Sequence, residues 1–321
     1  MNGNTTLVSQ ANYPHFTERD ACTANGGLLL NRSMALPVLN FLFKPLAFQC
    51  LLLLAIGRAQ DALPVPAVTV SAPPPRVWIF NGTPGDDEHH DFYEKNIAAL
   101  RETFATRFGV TKERLTVLYG PQSAGYDGPC TREALKAELD KIVTFTNEPG
   151  AGAAWIIFQG HANAIAAGAN FNLPGPDMSA RDIGEALKGA KENAPMVVLA
   201  TTACGAAFVK PLAGPGRKII ASTVASDPEN ETDFPTALAD ALAAPESDAN
   251  KDGIVSVTEL FLACHESVKK IHDKGGFMLR EHSQLDGNGD GRATQRPSPA
   301  DGEGGATLGL RVTTDAKKKF D

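Results

Sequence analysis

Two short segments carry residues of complementary chemistry at comparable points in the chain. Gln159-Gly160-His161-Ala162-Asn163 closes one apolar run, and Thr202-Ala203-Cys204-Gly205 closes another. A thiol is a nucleophile mainly as its thiolate, and a neighbouring imidazole or helix N-terminus favours that charged form. His161 and Cys204 are therefore a candidate base and nucleophile for attack on a carbonyl. Each has an ordinary structural reading when taken singly. A cysteine after a buried strand is usually a small core residue, and a histidine at a strand end is usually structural. Their occurrence together, each beside a glycine, makes them a candidate pair.

A different chemistry is written near the end of the chain. Asp248, Asn250, Asp252 and Glu259 occupy positions one, three, five and twelve of an EF-hand loop. Gly253 stands at the sharp turn, and the Ile254 carbonyl fills position seven. Oxygen donors in that order suit Ca2+. The alternative is an Asx-capped turn without an ion. Asp286, Asn288 and Asp290 repeat the first half of the pattern, but Pro297 stands at position twelve. That second loop is either a weaker metal site or a structural turn. His89 and His90 are adjacent, so on a helix they point apart and do not form a metal pair.

The elements that must position these residues alternate along the chain. Apolar strands are expected at residues 76–81, 114–119, 154–159, 195–201, 217–223 and 307–312. Helical spacing is expected at 91–108, 131–145, 179–188, 233–243 and 257–272, with a weaker candidate at 205–212. Strands that are apolar throughout are buried on both faces. Helices between them imply crossovers and a mainly parallel sheet. The fold class is α/β, a three-layer sandwich with helices on both faces. In such sheets sites lie beyond the carboxyl ends of the strands, where His161 and Cys204 fall.

The order of these segments resembles the legumain, caspase and metacaspase clan of cysteine peptidases, most closely its legumain-like branch. The carriers are His161 at one strand end, Ala203-Cys204 at the next, and residues 219–242 (IIASTVASDPENETDFPTALADAL) after them. The likeness spans residues 76–312. It implies a caspase-like fold and an endopeptidase acting on peptide or protein substrates, with no cofactor for catalysis. Cys204 would form the acyl-enzyme and His161 would manage the proton. The N–H groups of Ala162 and Cys204 would hold the oxyanion. Two departures stand out. Ala162 replaces the usual glycine after the histidine, and Thr202 replaces an acid or glutamine in the pocket for the residue before the cut. Asp86 and Asp87, with Thr202, could line that pocket, although an acidic run is more often a solvated helix start. A domain that keeps the fold without catalysis is the alternative, as a calcium-binding interaction module.

Composition bounds the rest. The chain has 321 residues, of which 43% are hydrophobic, and its net charge of −7 argues against a nucleic-acid partner. None of the five cysteines forms a CxxC pair, which disfavours a zinc ribbon or thioredoxin motif. Residues 45–57 (PLAFQCLLLLAIG) follow Lys44 and precede Gly57-Arg58-Ala59, the pattern of a secretory signal cut after Ala59. A start at Met34 would give that signal a normal length. The expected organisation is a targeting segment at 1–59, a proline-rich linker at 60–75 and one domain at 76–321. The product would be secreted or periplasmic. An uncleaved signal would instead anchor it to a membrane. Asn81-Gly-Thr and Asn230-Glu-Thr fit glycosylation sequons.

Overall fold

The run Ala154–Gln159 is buried at every position, which only a strand covered on both faces can satisfy. In the computed structural model, residues 69–70, 74–121, 124–226, 231–299, 302 and 308–313 are described. In chain order the elements are β1 (Thr69–Val70), β2 (Arg76–Asn81), α1 (Asp87–Thr106), β3 (Leu115–Tyr119), α2 (Arg132–Asn147) and β4 (Ala154–Gln159). Then come β5 (Ala162–Ile165), β6 (Gly168–Phe171), β7 (Met178–Ser179), α3 (Ala180–Ala186), β8 (Met196–Ala200) and α4 (Val209–Leu212). The last are β9 (Arg217–Ala221), α5 (Phe234–Ala243), β10 (Ile254–Ser256), α6 (Val257–Gly275), β11 (Gln284–Asp286) and β12 (Leu308–Arg311).

The main sheet has the order β11-β9-β8-β4-β2-β3. Its pairs are parallel except for β11, which runs antiparallel to β9. Alternate residues of each strand serve opposite faces. Val77, Ile79, Trp155 and Ile157 join a core with Ile97 and Phe104 of α1, Leu238 of α5 and Phe261 of α6. Trp78, Phe80, Ile156 and Phe158 join a second core with Leu135 and Leu139 of α2, Ile183 of α3 and Leu212 of α4. The molecule is therefore the three-layer α/β sandwich that the apolar runs predict.

Several differences have physical causes. Helix α1 begins at Asp87 rather than residue 91, because Asp86 caps it by accepting the His89 N–H. The acidic run thus forms the first turn, where the helix dipole favours it. Residues 205–212 form a 3-10 turn, Gly205–Phe208, and then only one α-turn. The antiparallel sheet β5-β6-β7 and the short strands β10 and β11 were not predicted, since two to four residues carry too little periodicity. Thr69 and Val70, inside the expected linker, pair with β12, which also pairs with β10. Among the described residues no helix is long and apolar enough to cross a membrane. The expected signal at 1–59 lies outside the described residues.

Close packing under the β8 turn yields a prediction. A Cβ on Gly205 would lie 2.6 Å from Ser222 Oγ and 2.7 Å from the Ala200 carbonyl oxygen. The second of these is backbone and cannot swing aside. Gly205→Ala should lower stability by about 1–3 kcal/mol, read as a lower urea midpoint with an unchanged slope. An unchanged midpoint would show that the turn is not packed as described.

Candidate active site

Strands β4 and β8 run side by side in parallel, and their last paired residues are Phe158 and Ala200. The Thr201 N–H continues the ladder to the Phe158 carbonyl at 3.0 Å. The chain thus leaves both strands at one level, and neighbouring strands are roughly 5 Å apart. His161 and Cys204 follow within a few residues, at the carboxyl edge of the sheet.

The turn to His161 depends on Gly160, whose φ of +117° few side chains tolerate. A Cβ there would also meet the Gly82 nitrogen at 3.0 Å. The β2 and β4 ends are laced together beneath the site. Gly82 N–H donates to the Gln159 carbonyl at 2.9 Å. Buried Gln159 donates through Nε2 to Asn81 Oδ1 at 3.0 Å and to the Tyr93 carbonyl at 3.2 Å. Asn81 is itself fully buried, so its sequon is not presented to solvent. Asn230, in the other sequon, lies outside the described residues.

The half-buried imidazole of His161 is held at both nitrogens. Nε2 lies 2.8 Å from the Pro84 carbonyl oxygen, which obliges it to donate. Nδ1 lies 3.1 Å from Glu231 Oε2. The Glu231 hydrogen bond raises the imidazole pKa and outweighs burial, which opposes the charge. Glu231 in turn faces a desolvation penalty, but His161 and Tyr93 hold its pKa below the usual carboxylate value. Tyr93 donates its hydroxyl to Glu231 Oε1, and His89 Nε2 lies 3.4 Å from Glu231 Oε2.

Cys204 sits in the left-handed region, φ 47° and ψ 29°, at the head of the 3-10 turn. For an L-residue this costs roughly 1–2 kcal/mol and persists only where its surroundings enforce it. Here they do. Ala206 N–H donates to Thr223 at 2.9 Å, Ala207 N–H to the Cys204 carbonyl at 2.8 Å, and Thr232 Oγ1 to the Thr201 carbonyl at 2.6 Å. Ser222 Oγ donates to the Thr202 carbonyl. Cys204 is 0% exposed and belongs to the apolar cluster that contains Phe158, Phe171 and Phe208.

Ala162 pairs with Phe171, and Asn172 N–H donates to the His161 carbonyl at 3.1 Å. Position 162 is therefore a non-hydrogen-bonded site of the β5–β6 ladder, and its N–H points away from β6. The other expected residues are placed differently from one another. Asp87 is exposed on the first turn of α1. Asp86 is committed to its cap and to His89 Nδ1, 2.6 Å away. Thr202 is 1% exposed, with its hydroxyl donating to the Ala203 carbonyl. It offers no surface to a substrate in this conformation. Cys130 and Cys264 lie in opposite cores and form no disulfide, and burial pushes both thiols up.

Away from the sheet edge, the 248–259 loop is wound around its own side chains. Asp248 accepts from the backbone of Asp252 and Gly253, Asn250 from Asp252, and Asp252 from Ile254. Glu259 reaches back to the Asn250 N–H at 3.2 Å and to Ser256. In the second half-loop, buried Asp286 accepts from Gly289 and Gly291, and Asn288 from Asp290. Asp290 accepts from Arg292.

Glu231, Tyr93, Pro84 and Gln159 were not singled out from the sequence. Gln159 alone had a signal, as a polar side chain ending a fully apolar run. Glu231 comes from a loop distant in sequence and had none.

No protein-family model matches this chain, and no curated protein matches it in sequence. Among solved structures, the Drosophila initiator caspase Dronc is similar with a TM-score of 0.45 and 11% identity, over 73% of this chain and 88% of that one. A secreted C11 cysteine protease from Bacteroides thetaiotaomicron, solved with an irreversible peptide inhibitor, is similar with a TM-score of 0.39 and 13% identity. That match covers 68% of this chain and 66% of the other. At this level the likeness concerns the course of the chain.

A second cluster lies at the start of α5 and the end of α6. Glu281 Oε1 accepts the Asp233 N–H at 2.6 Å and lies 3.3 Å from His272 Nε2. Burial pushes the Glu281 carboxyl up to about 7. Burial opposes the His272 charge, but the Met278 carbonyl, Glu281 and Asp233 leave its pKa raised. Both shifts are upward, so the folded protein holds a proton that the unfolded chain has released. This stabilisation is complete below about pH 4.5 and is lost as pH rises through about 7. Glu281→Gln should flatten the decline between pH 5 and pH 8 by on the order of 2 kcal/mol, measured by urea denaturation at both values. An identical decline in the variant would remove Glu281 as its cause.

Proposed function

We propose that this chain is an exported cysteine endopeptidase in which Cys204 attacks the scissile carbonyl and His161 transfers the proton. One observation carries the reading. Two adjacent parallel strands release the chain at the same level, one into a histidine oriented by a backbone carbonyl, the other into a cysteine held in a left-handed conformation. Residues 219–242 favour the legumain-like side of the clan.

The chemistry follows from the two side chains. Cys204 Sγ adds to the carbonyl carbon, and the oxyanion takes N–H bonds from Cys204 and Ala162. Collapse breaks the C–N bond, and the leaving amine takes its proton from His161. Water then hydrolyses the thioester. With Nε2–H directed at Pro84, Nδ1 is the nitrogen that gains and loses the proton. Each oriented oxyanion donor is worth about 10²–10³ in rate.

The described conformation is closed. Cys204 is covered, and Glu231 occupies His161 Nδ1. Turnover requires the segment carrying Glu231 and Thr232 to withdraw. The burial of Cys204 also favours a second reading, a domain that keeps the architecture without turnover. Peptide-library cleavage separates the two. Active protein should lose all cleavage in Cys204→Ala and about 10²–10⁴-fold in His161→Ala. Withdrawal of the Glu231 segment should let an iodoacetamide-type probe alkylate Cys204 in preference to Cys130 and Cys264, which lie in the two cores. Neither cleavage nor labelling by folded, processed protein would establish the second reading.

The 248–259 loop is proposed to hold Ca2+ through Asp248, Asn250, Asp252, the Ile254 carbonyl and Glu259. The all-oxygen donor set fits, and Lys251 and Gly253 take the positive φ values, 60° and 82°, of a tightly wound loop. Val312 N–H donates to the Gly253 carbonyl at 2.9 Å, so an ion there would fasten the end of β12 to the head of α6. The second half-loop lacks an acidic twelfth position, which supports a turn. Calcium at about 100 times its Kd should add roughly 2.7 kcal/mol of stability, seen as a rise in Tm over EDTA-treated protein. Asp248→Ala with Glu259→Ala should abolish the rise. No calcium-dependent shift in the parent protein would eliminate the site.

A further inference from the structure

We infer that His89, His161 and Glu231 form a binding site for a zinc-class divalent transition ion, distinct from the oxygen loop. This inference does not depend on peptidase activity. The three side chains converge from α1, the β4 end and the segment after β9. One ligand atom from each lies within 4.8 Å of the others. Glu231 Oε2 is the hub, 3.1 Å from His161 Nδ1 and 3.4 Å from His89 Nε2. Ligands about 2.0–2.1 Å from a tetrahedral ion stand about 3.3 Å apart, so two edges of the polyhedron already exist.

The groups behind the ligands strengthen the case. A metal-binding histidine typically donates its other N–H to a carboxylate or backbone carbonyl, which fixes the ring and the tautomer. Both histidines do so here. His89 Nδ1 lies 2.6 Å from Asp86 Oδ1, and Asp86 is itself fixed by accepting the His89 N–H at 2.9 Å. His161 Nε2 lies 2.8 Å from the Pro84 carbonyl oxygen. The remaining oxygen of Glu231 is held by the Tyr93 hydroxyl. Each ligand therefore presents one atom to the common point and has its other polar atom occupied. The imidazole rings meet edge to face, 66° apart with centroids 4.9 Å apart. The three side chains are about one-third exposed, which leaves solvent access for a fourth ligand. Two imidazoles and one carboxylate suit zinc and its neighbours rather than calcium or magnesium. Glu231 and Asp86 together supply the two negative charges that balance a divalent ion.

An ion here would tie the segment carrying Glu231 to α1 and to β4, and would take the lone pair of His161 Nδ1. The site is thus a lock on the same imidazole that the peptidase reading requires to be free. Metal binding and turnover would exclude each other, and a chelator would release the lock.

The test is direct binding to the full chain with calcium present to fill the oxygen loop. Cobalt titration should give the visible absorption of a four-coordinate ion, displaced by zinc. X-ray absorption of the zinc-loaded parent protein should show nitrogen and oxygen ligands with imidazole scattering and no sulfur. His89→Gln and Glu231→Gln should each weaken binding by about 100-fold or more, and Asp86→Asn by about 10-fold. Cys204→Ala should leave the spectrum unchanged. Circular dichroism in EDTA identifies any variant that fails to fold, and the parent protein's absorption spectrum decides the question without variants. Absence of micromolar binding by folded parent protein would overturn the inference. So would sulfur in the zinc shell, binding that survives the His89–Glu231 double variant, or binding lost only in Glu281→Gln, which would place the ion on Asp233, His272 and Glu281.

Discussion

The parallel pairing of β4 with β8 determines everything that the sheet edge can do. Register in a parallel pair is fixed by the continuous ladder and by burial on both faces. A slip of one residue would turn Trp155 and Ile157 from the core beside α1 towards that beside α2. Because the register is locked through Phe158 and Ala200, the two chains emerge together. His161 and Cys204 then follow the two strand ends after only short turns. Those turns are costly ones, a glycine at φ +117° before His161 and a left-handed cysteine at 204.

Polar groups lace the sheet edge together above the apolar cores. Gln159 ties β4 to Asn81 and to the backbone of α1. Thr232 ties the segment before α5 to the β8 turn. Glu231, its neighbour in sequence, joins His161, His89 and Tyr93. These bonds are worth more in a half-buried site than in water, and an unpaired partner would be correspondingly costly. One short segment therefore both braces the turn that leads to Cys204 and occupies Nδ1 of His161 in the described state.

That contact gives Glu231 a position between two chemistries. While it holds His161 Nδ1, it favours the charged form of the imidazole and keeps that nitrogen engaged. In the proposed peptidase, its withdrawal would free the same nitrogen for a thiol or a leaving amine. An ion bridging the three side chains would favour the engaged arrangement. The Pro84 carbonyl orients the His161 ring through Nε2 in the described state.

The sequence by itself determined the layers of this fold. Runs such as AWIIFQ and MVVLA are apolar at every position, so they had to be doubly covered strands, and the helical spacing between them supplied the cover. It also picked out His161, Cys204 and the 248–259 loop, because glycine beside a polar residue at a strand end and alternating acids around Gly253 are local signals. Only the tertiary structure decided the surroundings of those residues. Cys204 is buried in a core whose other members, Phe158, Phe171 and Phe208 among them, come from separate elements. Capture of His161 by Glu231, and the approach of His89, join segments far apart in the chain. Adjacency in sequence separated His89 from His90 correctly, yet it could not reveal that one of them faces His161. Local periodicity records which face of an element is buried, whereas the partner met at that face is set by how the layers pack.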